Sequence, residues 1–423
     1  MNKFLQIFKI PDLRKKVLMV LFLLFIFRLL AAIPVPGVDP QRLQEFFGSS
    51  QLLGFLDLFS GGGLSNLSLV MLGVGPYITA TIIMQLLTII FPNLKKAYYE
   101  EGAEGRAKFN RISRYLTVPL AMMQAYGFIN LLTSKGVIPP LAINQMLINV
   151  IVITAGSLLL MWIGELISEY KIGNGVSLII FAGIVSSLPQ AIGQSVMNFS
   201  PEMIPTYITF IILAVVVIAG VVYVSEGERK VPVSYAKQVR GNKMYGGAST
   251  YLPLKVNQAG VIPIIFAISL LLFPQFFAQA ISIVSKEWSL TLNQWVSTLF
   301  NNLFIYSAIY FVLVVVFTYF YTAITFDPEE ISKNLQRSGG FIPGIRPGQA
   351  TSAMIGKIVH RTTLFGALFL GIIAVLPNMT EMATGIKAFA LGGTSLLIVV
   401  SVALEVMKQI ESQLTVREYD GIL

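Results

Sequence analysis

The 423-residue sequence contains no cysteine and a single histidine, His360. The first absence excludes disulfides, thiolate metal sites and thiol nucleophiles, and leaves the redox compartment unread. The second excludes a Ser/His dyad, a His-ligated metal or a haem axial pair within a membrane, because His360 falls in a polar, basic stretch. Charge is scarce as well: 12% of residues are charged, against roughly 25% in soluble domains. A soluble protein of this length would need a charged shell around its core. The 30 Lys+Arg and 21 Asp+Glu cannot supply one when 55% of residues are hydrophobic and mean hydropathy is +0.74. The apolar excess must face lipid. No G-x-x-x-x-G-K-[ST] phosphate loop occurs, so the chain does not hydrolyse ATP by that route and needs an outside energy source for any work it does.

What is present is a series of ten apolar stretches, at 17–33, 67–91, 115–132, 146–167, 176–192, 204–224, 259–284, 304–326, 363–376 and 388–407. About 20 residues cross a bilayer as a helix. The pattern predicts an all-α polytopic membrane protein with ten transmembrane helices. The fifth and ninth stretches are short and interrupted by glycine, which suits helices buried within a bundle. The first has a basic flank but runs into Pro34-Val35-Pro36-Gly37 without a small-x-small cleavage pattern, so it is expected to be a retained span.

Basic residues fix the orientation. Twenty-five of the 30 lie at the N-terminus, in the loops after even-numbered spans and in the C-terminal tail; the alternate loops hold Arg42, Lys135, Lys286 and Lys387, and Arg28 lies inside the first span. Strict alternation of this kind places both termini in the cytoplasm. The net charge of +9 therefore reads mainly as topology rather than nucleic-acid affinity. Within the spans the ionisable residues are Arg28, Glu165 and Glu405, all toward helix ends. With no charge at any span centre, ion-coupled transport is disfavoured. A carrier of neutral solutes stays open, although such a carrier has no need of long cytoplasmic loops.

Two such loops exist. Residues 225–257 carry alternating, β-favouring runs at 231–235 and 250–254 around Gly246-Gly247, which predicts a hairpin projecting into the cytoplasm. Residues 327–361 include a turn-rich run from Gly339 to Gly348 in which Phe341, Ile342 and Ile345 have no evident core. They form either a docking surface or a loop folded back on the bundle. On the outer side, the segment 55–68 (Phe55, Leu56, Leu58, Phe59, Gly61, Gly62, Gly63 and Leu64 among its residues) is too short and glycine-broken to cross. It is either a short re-entrant helix entering a cavity or an amphipathic helix on the outer surface.

Five motifs then occur in order along nearly the whole chain: Leu72-Gly-Val-Gly-Pro-Tyr-Ile78, Lys171-Ile-Gly-Asn-Gly175, Tyr251-Leu-Pro-Leu-Lys-Val-Asn-Gln-Ala-Gly-Val-Ile-Pro263, Gly344-Ile-Arg-Pro-Gly348 and Gly392-Gly-Thr-Ser-Leu-Leu-Ile398. Together they resemble bacterial SecY, the channel subunit of the general protein translocase. The resemblance implies two pseudo-symmetric halves, spans 1–5 (residues 1–195) and 6–10 (196–423), around a central pore that also opens sideways to lipid between spans two and seven. It implies a pore ring of Val74, Ile78, Val176, Ile180, Ile265 and Ile398. Residue spacing agrees in part: Val74 and Ile78, like Val176 and Ile180, are i,i+4 pairs on one helix face. An aliphatic constriction excludes water and ions by dewetting. The resemblance further implies that 55–68 is a plug, and that Thr79, Gln85 and Asn257 form a polar patch at the lateral gate, though Gln85 could equally be an ordinary interhelical contact. It also implies Arg346 as a contact for the motor ATPase SecA, and Arg229, Lys230, Arg240 and Lys243 as contacts for ribosomal RNA phosphates. Expected partners are SecE, SecG, SecA, the ribosome and signal-sequence-bearing polypeptides. The expected location is the bacterial inner membrane. No enzyme activity, cofactor or metal is implied.

Overall fold

The computed structural model describes residues 10–35, 60, 63–64, 67–99, 101–134, 136–197, 201, 204–235, 238–240, 243–245, 249–281, 286–384 and 392–420. In chain order its elements are α1 (Pro11–Ala31), α2 (Gly75–Ile90), α3 (Pro92–Tyr99), α4 (Gly102–Ser134), α5 (Ile143–Glu169), α6 (Gly175–Met197), α7 (Ile204–Glu226), β1 (Glu228–Tyr235), β2 (Gln238–Arg240), β3 (Lys243–Tyr245), β4 (Ser249–Lys255), α8 (Ile262–Ile281), α9 (Lys286–Asn301), α10 (Leu303–Thr325), α11 (Pro328–Arg337), β5 (Gly340–Phe341), α12 (Gln349–Thr384) and α13 (Gly392–Asp420).

Each of the ten apolar stretches falls on one of these helices, and among the described residues five helices are by themselves long and apolar enough to cross a membrane. The ninth stretch is longer than its apolar run. It is the middle of the 36-residue α12, whose first turns are polar and therefore carry no hydrophobic signal. The second stretch is shorter than its run, because residues 67–74 form turns and the helix starts only at Gly75.

One apolar core collects residues from α1, the turns before α2, and α2, α4–α8, α10, α12 and α13. The outward faces are apolar too: on α7, Ile208, Ile211, Ile212, Val215 and Val216 are exposed. Apolar inside and out is the signature of a helix bundle solvated by lipid. Close approach relies on glycine. A Cβ added at Gly156 of α5 would stand 2.0 Å from the Leu69 carbonyl oxygen, so the turns before α2 can lie against α5 only there. The C-terminal helix joins distant parts of the chain. Lys408 pairs with Glu226 of α7 at 2.9 Å, the Gln413 side-chain amide donates to the Lys171 carbonyl at 2.5 Å, and Leu414 packs on Leu13 of α1.

The two long loops are a single packed unit. β1 and β4 pair antiparallel with Val231 opposite Leu252, and β5, contributed by the second loop, adds to the other edge of β1. Period-two alternation turns Val231 and Val233 inward. They meet Leu254, Ile342, Ile355 and Val359 in a second small core. This corrects the expectation for the second loop as a docking surface of exposed apolar residues: Ile342 is 2% exposed and Ile345 packs against the same cluster. Ile345 is half-buried there, and Phe341 is exposed. Gly246-Gly247 lie outside the described residues, and the hairpin narrows instead through β2 and β3.

Candidate pore and gate

Local chemistry sets where four of the residues expected for the ring stand. Gly73 takes φ +58°, a left-handed conformation open to glycine, and Pro76 in the first turn of α2 fits the helix start. The amide of Ile78 donates to the Val74 carbonyl at 3.0 Å, which stacks those two side chains on one face. At the start of α6, the Asn174 side-chain oxygen accepts from the amides of Val176 (3.1 Å) and Ser177 (3.2 Å), capping the helix. The Ser168 hydroxyl accepts from the Gly175 amide and donates to the Gly164 carbonyl, both at 2.9 Å. A Cβ at Gly175 would lie 1.8 Å from that carbonyl oxygen. The Lys171–Gly175 motif thus clamps α5 to α6 and positions Val176 and Ile180.

The six residues expected for the ring stand at the start of α2 and on α6, α8 and α13. Val74, Ile78, Ile180, Ile265 and Ile398 are buried in the main core, and half-buried Val176 packs against it. Of the expected plug, Phe55, Leu56, Leu58, Phe59, Gly61 and Gly62 lie outside the described residues. Leu64 is buried in the same cluster as the ring, its amide donating to the Ser60 hydroxyl at 3.0 Å. At Gly63 an added Cβ would meet the Ser68 hydroxyl at 2.9 Å. The segment is tied to the end of α1 by bonds from the Val35 amide to the Leu67 carbonyl (2.7 Å) and from the Leu69 amide to the Ile33 carbonyl (3.0 Å).

Two of the expected gate residues bond within their own segments. The Thr79 hydroxyl donates to the Gly75 carbonyl of its own helix at 3.0 Å. The Asn257 side-chain amide donates to the Gly260 carbonyl at 3.1 Å, and its backbone lies against Gly366 of α12. Among the described residues no hydrogen bond joins Thr79, Gln85 and Asn257, and the side-chain oxygens of Gln85 and Asn257 are buried without a donor. α2 does pack on α8, forming a seam between them.

Beside that seam lies a cavity of about 500 Å³. Ile78, Val176 and Ile265, expected for the ring, line it together with Phe266; its polar lining includes Gln85, Asn110, Arg114, Glu165, Glu169 and Asn174. Arg114 Nε meets Glu165 Oε1 at 2.7 Å, linking α4 to α5. Both partners keep solvent contact, so the pair contributes at most about 1 kcal/mol to stability. Glu169 also lines the cavity, so its lining holds two carboxylates and one guanidinium.

Of the expected docking residues, Arg346 is exposed at a turn braced from both sides. The Thr351 hydroxyl donates to the Arg346 carbonyl at 3.0 Å and the Ser332 hydroxyl to the Gly348 carbonyl at 2.7 Å. Arg229 and Lys230 are exposed on β1. Arg240 and Lys243 are backbone partners across β2 and β3, and their side chains lie outside the described residues.

The SecY family profile matches residues 68–407. The chain belongs to the SecY family. It is 41% identical over 447 residues to protein translocase subunit SecY of Mycobacterium tuberculosis (strain ATCC 25618 / H37Rv), and 42% identical over 446 residues to that of Streptomyces coelicolor, with 100% of both chains covered in each case. Among solved structures it is similar to a protein conducting channel, with a TM-score of 0.64 at 20% identity over 93% of this chain and 90% of that one. It is also similar to Sec61 in the canine ribosome-channel complex from the endoplasmic reticulum, with a TM-score of 0.60 at 19% identity and the same coverage. These likenesses show the helical SecY/Sec61 fold and agree with the resemblance carried by the five motifs.

Sequence reasoning missed the polar wall. Arg114 counts there only as a topological charge, and Glu165 as a carboxylate near a span end. A signal was available: consecutive antiparallel spans bring the start of one beside the end of the next, so a cation at the first and a carboxylate at the second are candidates for pairing.

Proposed function

We propose that the chain is the channel through which unfolded secretory polypeptides cross the bacterial inner membrane, and from which hydrophobic segments leave sideways into lipid. The observation that carries this reading is that Ile78 of α2, Val176 of α6 and Ile265 of α8 line one cavity together with polar and charged side chains. An aliphatic ring is dry enough to hold back ions and soft enough to part around a peptide. The names of the relatives and the character of the structural neighbours support it.

On this reading the halves are residues 1–195 and 196–423, both termini face the cytoplasm, and the seam between α2 and α8 is the lateral gate. Val74, Ile78, Val176, Ile180, Ile265 and Ile398 form the ring, and the segment 55–68 closes it at rest. The driving energy comes from SecA docked at Arg346 or from a ribosome bound through Arg229, Lys230, Arg240 and Lys243, with SecE and SecG as companion subunits. The chain itself acts as a conduit and performs no catalysis. The test is crosslinking. A photoreactive residue at Ile78 or Ile265 should capture a stalled secretory chain, while one at the lipid-facing Val215 should not. Equal capture at Val215, or none at the ring, would overturn the proposal.

A further inference from the structure

The chain has three tryptophans, and two of them, Trp288 and Trp295, lie on the 16-residue α9 between α8 and α10. After Lys286 and Glu287 the helix carries no charge through Asn301. Trp288, Leu292, Trp295 and Leu299 recur at i, i+4, i+7 and i+11, which places them in one stripe along the helix. α9 packs on both α8 and α10, yet Trp288 and Trp295 are each 68% exposed. The tryptophan stripe is therefore not the face used against those helices.

Its surroundings say what covers it. Only Asn302 separates α9 from α10, and its side-chain oxygen caps α10 by accepting from the amides of Phe304 (3.1 Å) and Ile305 (3.3 Å). The 23 residues of α10 extend about 35 Å at about 1.5 Å per residue, enough to cross a hydrocarbon layer of about 30 Å. α9 thus ends where the span α10 begins, on the side opposite the basic loops. On either side of it the surface is apolar: Phe277 near the end of α8 and Phe304 in the first turn of α10 are exposed. The stripe continues the lipid-facing surface of two spans. Indole rings, apolar in body with one N–H donor, favour the boundary between headgroups and acyl chains.

We infer that α9 lies flat in the membrane–water interface of the outer leaflet, with Trp288 and Trp295 seated among lipid headgroups, and so tethers the outer end of α8 to the bilayer surface. The inference rests on the membrane reading above, and its test separates the two. Because the chain has no cysteine, Trp288→Cys, Trp295→Cys, Gln294→Cys, Thr298→Cys and Ile151→Cys each give one nitroxide site in this chain within the intact complex, reconstituted in vesicles of phosphatidylethanolamine and phosphatidylglycerol. Collision of the nitroxides with dissolved oxygen is compared with collision with a water-soluble nickel chelate. Oxygen should dominate at 288 and 295 and the chelate at 294 and 298. Chelate dominance at 288 and 295 would put α9 in water, and exclusion of both reagents there would mean a protein subunit covers it; either overturns the inference. Position 151, on an exposed face of α5, must be oxygen-rich, and failure there indicts the membrane reading instead. Should cysteine variants fail to assemble, the Trp162→Phe complex, with the Trp288→Phe/Trp295→Phe variant as background, is mixed with lipid brominated near the headgroup. Loss of emission is expected, and unchanged emission overturns the inference.

Discussion

Gly175→Ala isolates the clamp between α5 and α6. The new Cβ would lie 1.8 Å from the Gly164 carbonyl oxygen and 2.7 Å from its carbon. Both groups in conflict are backbone, so no rotamer change relieves the clash. Restoring an ordinary 3.4 Å contact requires the start of α6 to retreat by about 1.6 Å. That movement stretches the bond from the Gly175 amide to the Ser168 hydroxyl, now 2.9 Å, beyond hydrogen-bonding range. Overpacking of this kind costs about 1–3 kcal/mol, and the lost bond adds about 1 kcal/mol. Val176 and Ile180 travel with the helix, so one side of the ring loosens. The purified complex should melt at lower temperature, and ion conductance across a planar bilayer without substrate should rise. Gly193→Ala on the same helix, where nothing lies within 4 Å, should be neutral or stabilising by about 0.5–1 kcal/mol. If the two variants melt and leak alike, the clamp is not what positions the ring.

Ile78→Asn combined with Ile398→Asn should raise resting ion leak and relax signal-sequence selectivity; unaltered conductance would count against the ring. Ile342→Ala should cost about 2–5 kcal/mol locally, seen as faster amide exchange in β1 and the first turns of α12 with exchange in the membrane bundle unchanged. Arg346→Glu changes an exposed side chain without touching the bonds that brace its turn, so melting should hold while SecA-driven export falls; normal export would remove Arg346 from the docking surface.

The ten helices were legible because lipid demands long apolar runs, and a run such as 204–224 is hard to mistake for anything else. Helix ends were not. α12 begins at Gln349 although its apolar run starts at Thr363, since a helix base packed on a sheet needs only Ile355 and Val359 on one side. The small cytoplasmic core escaped for a related reason. Ile342 lacks partners nearby in sequence, and finding them in β1 requires knowing that two separate loops meet. The proposed ring rests on motif resemblance, because a buried isoleucine in a pore and one in a core have the same chemistry. Arg114 and Glu165 show the opposite case, where each charge is visible alone but the pairing depends on how two helices are placed side by side.

The mixed origin of the cytoplasmic sheet has a consequence in time. β1 meets β4 across short separations, as with Val231 and Leu252, but its other edge meets β5 at Phe341, 107 residues beyond Ser234. At elongation rates of about 5–20 residues per second, about 5–20 s pass between synthesis of the two. A two-stranded hairpin alone is marginal in water. Until β5 and the start of α12 arrive, Val231 and Val233 have only part of their core and one edge of β1 is open to other strands. Stalled chains ending before Gly340 should be cut by protease within β1, and chains extending past Val359 should resist; equal cutting would refute the order. Slow synthesis through the spans α8 and α10 therefore prolongs a vulnerable edge without altering any contact of the finished protein.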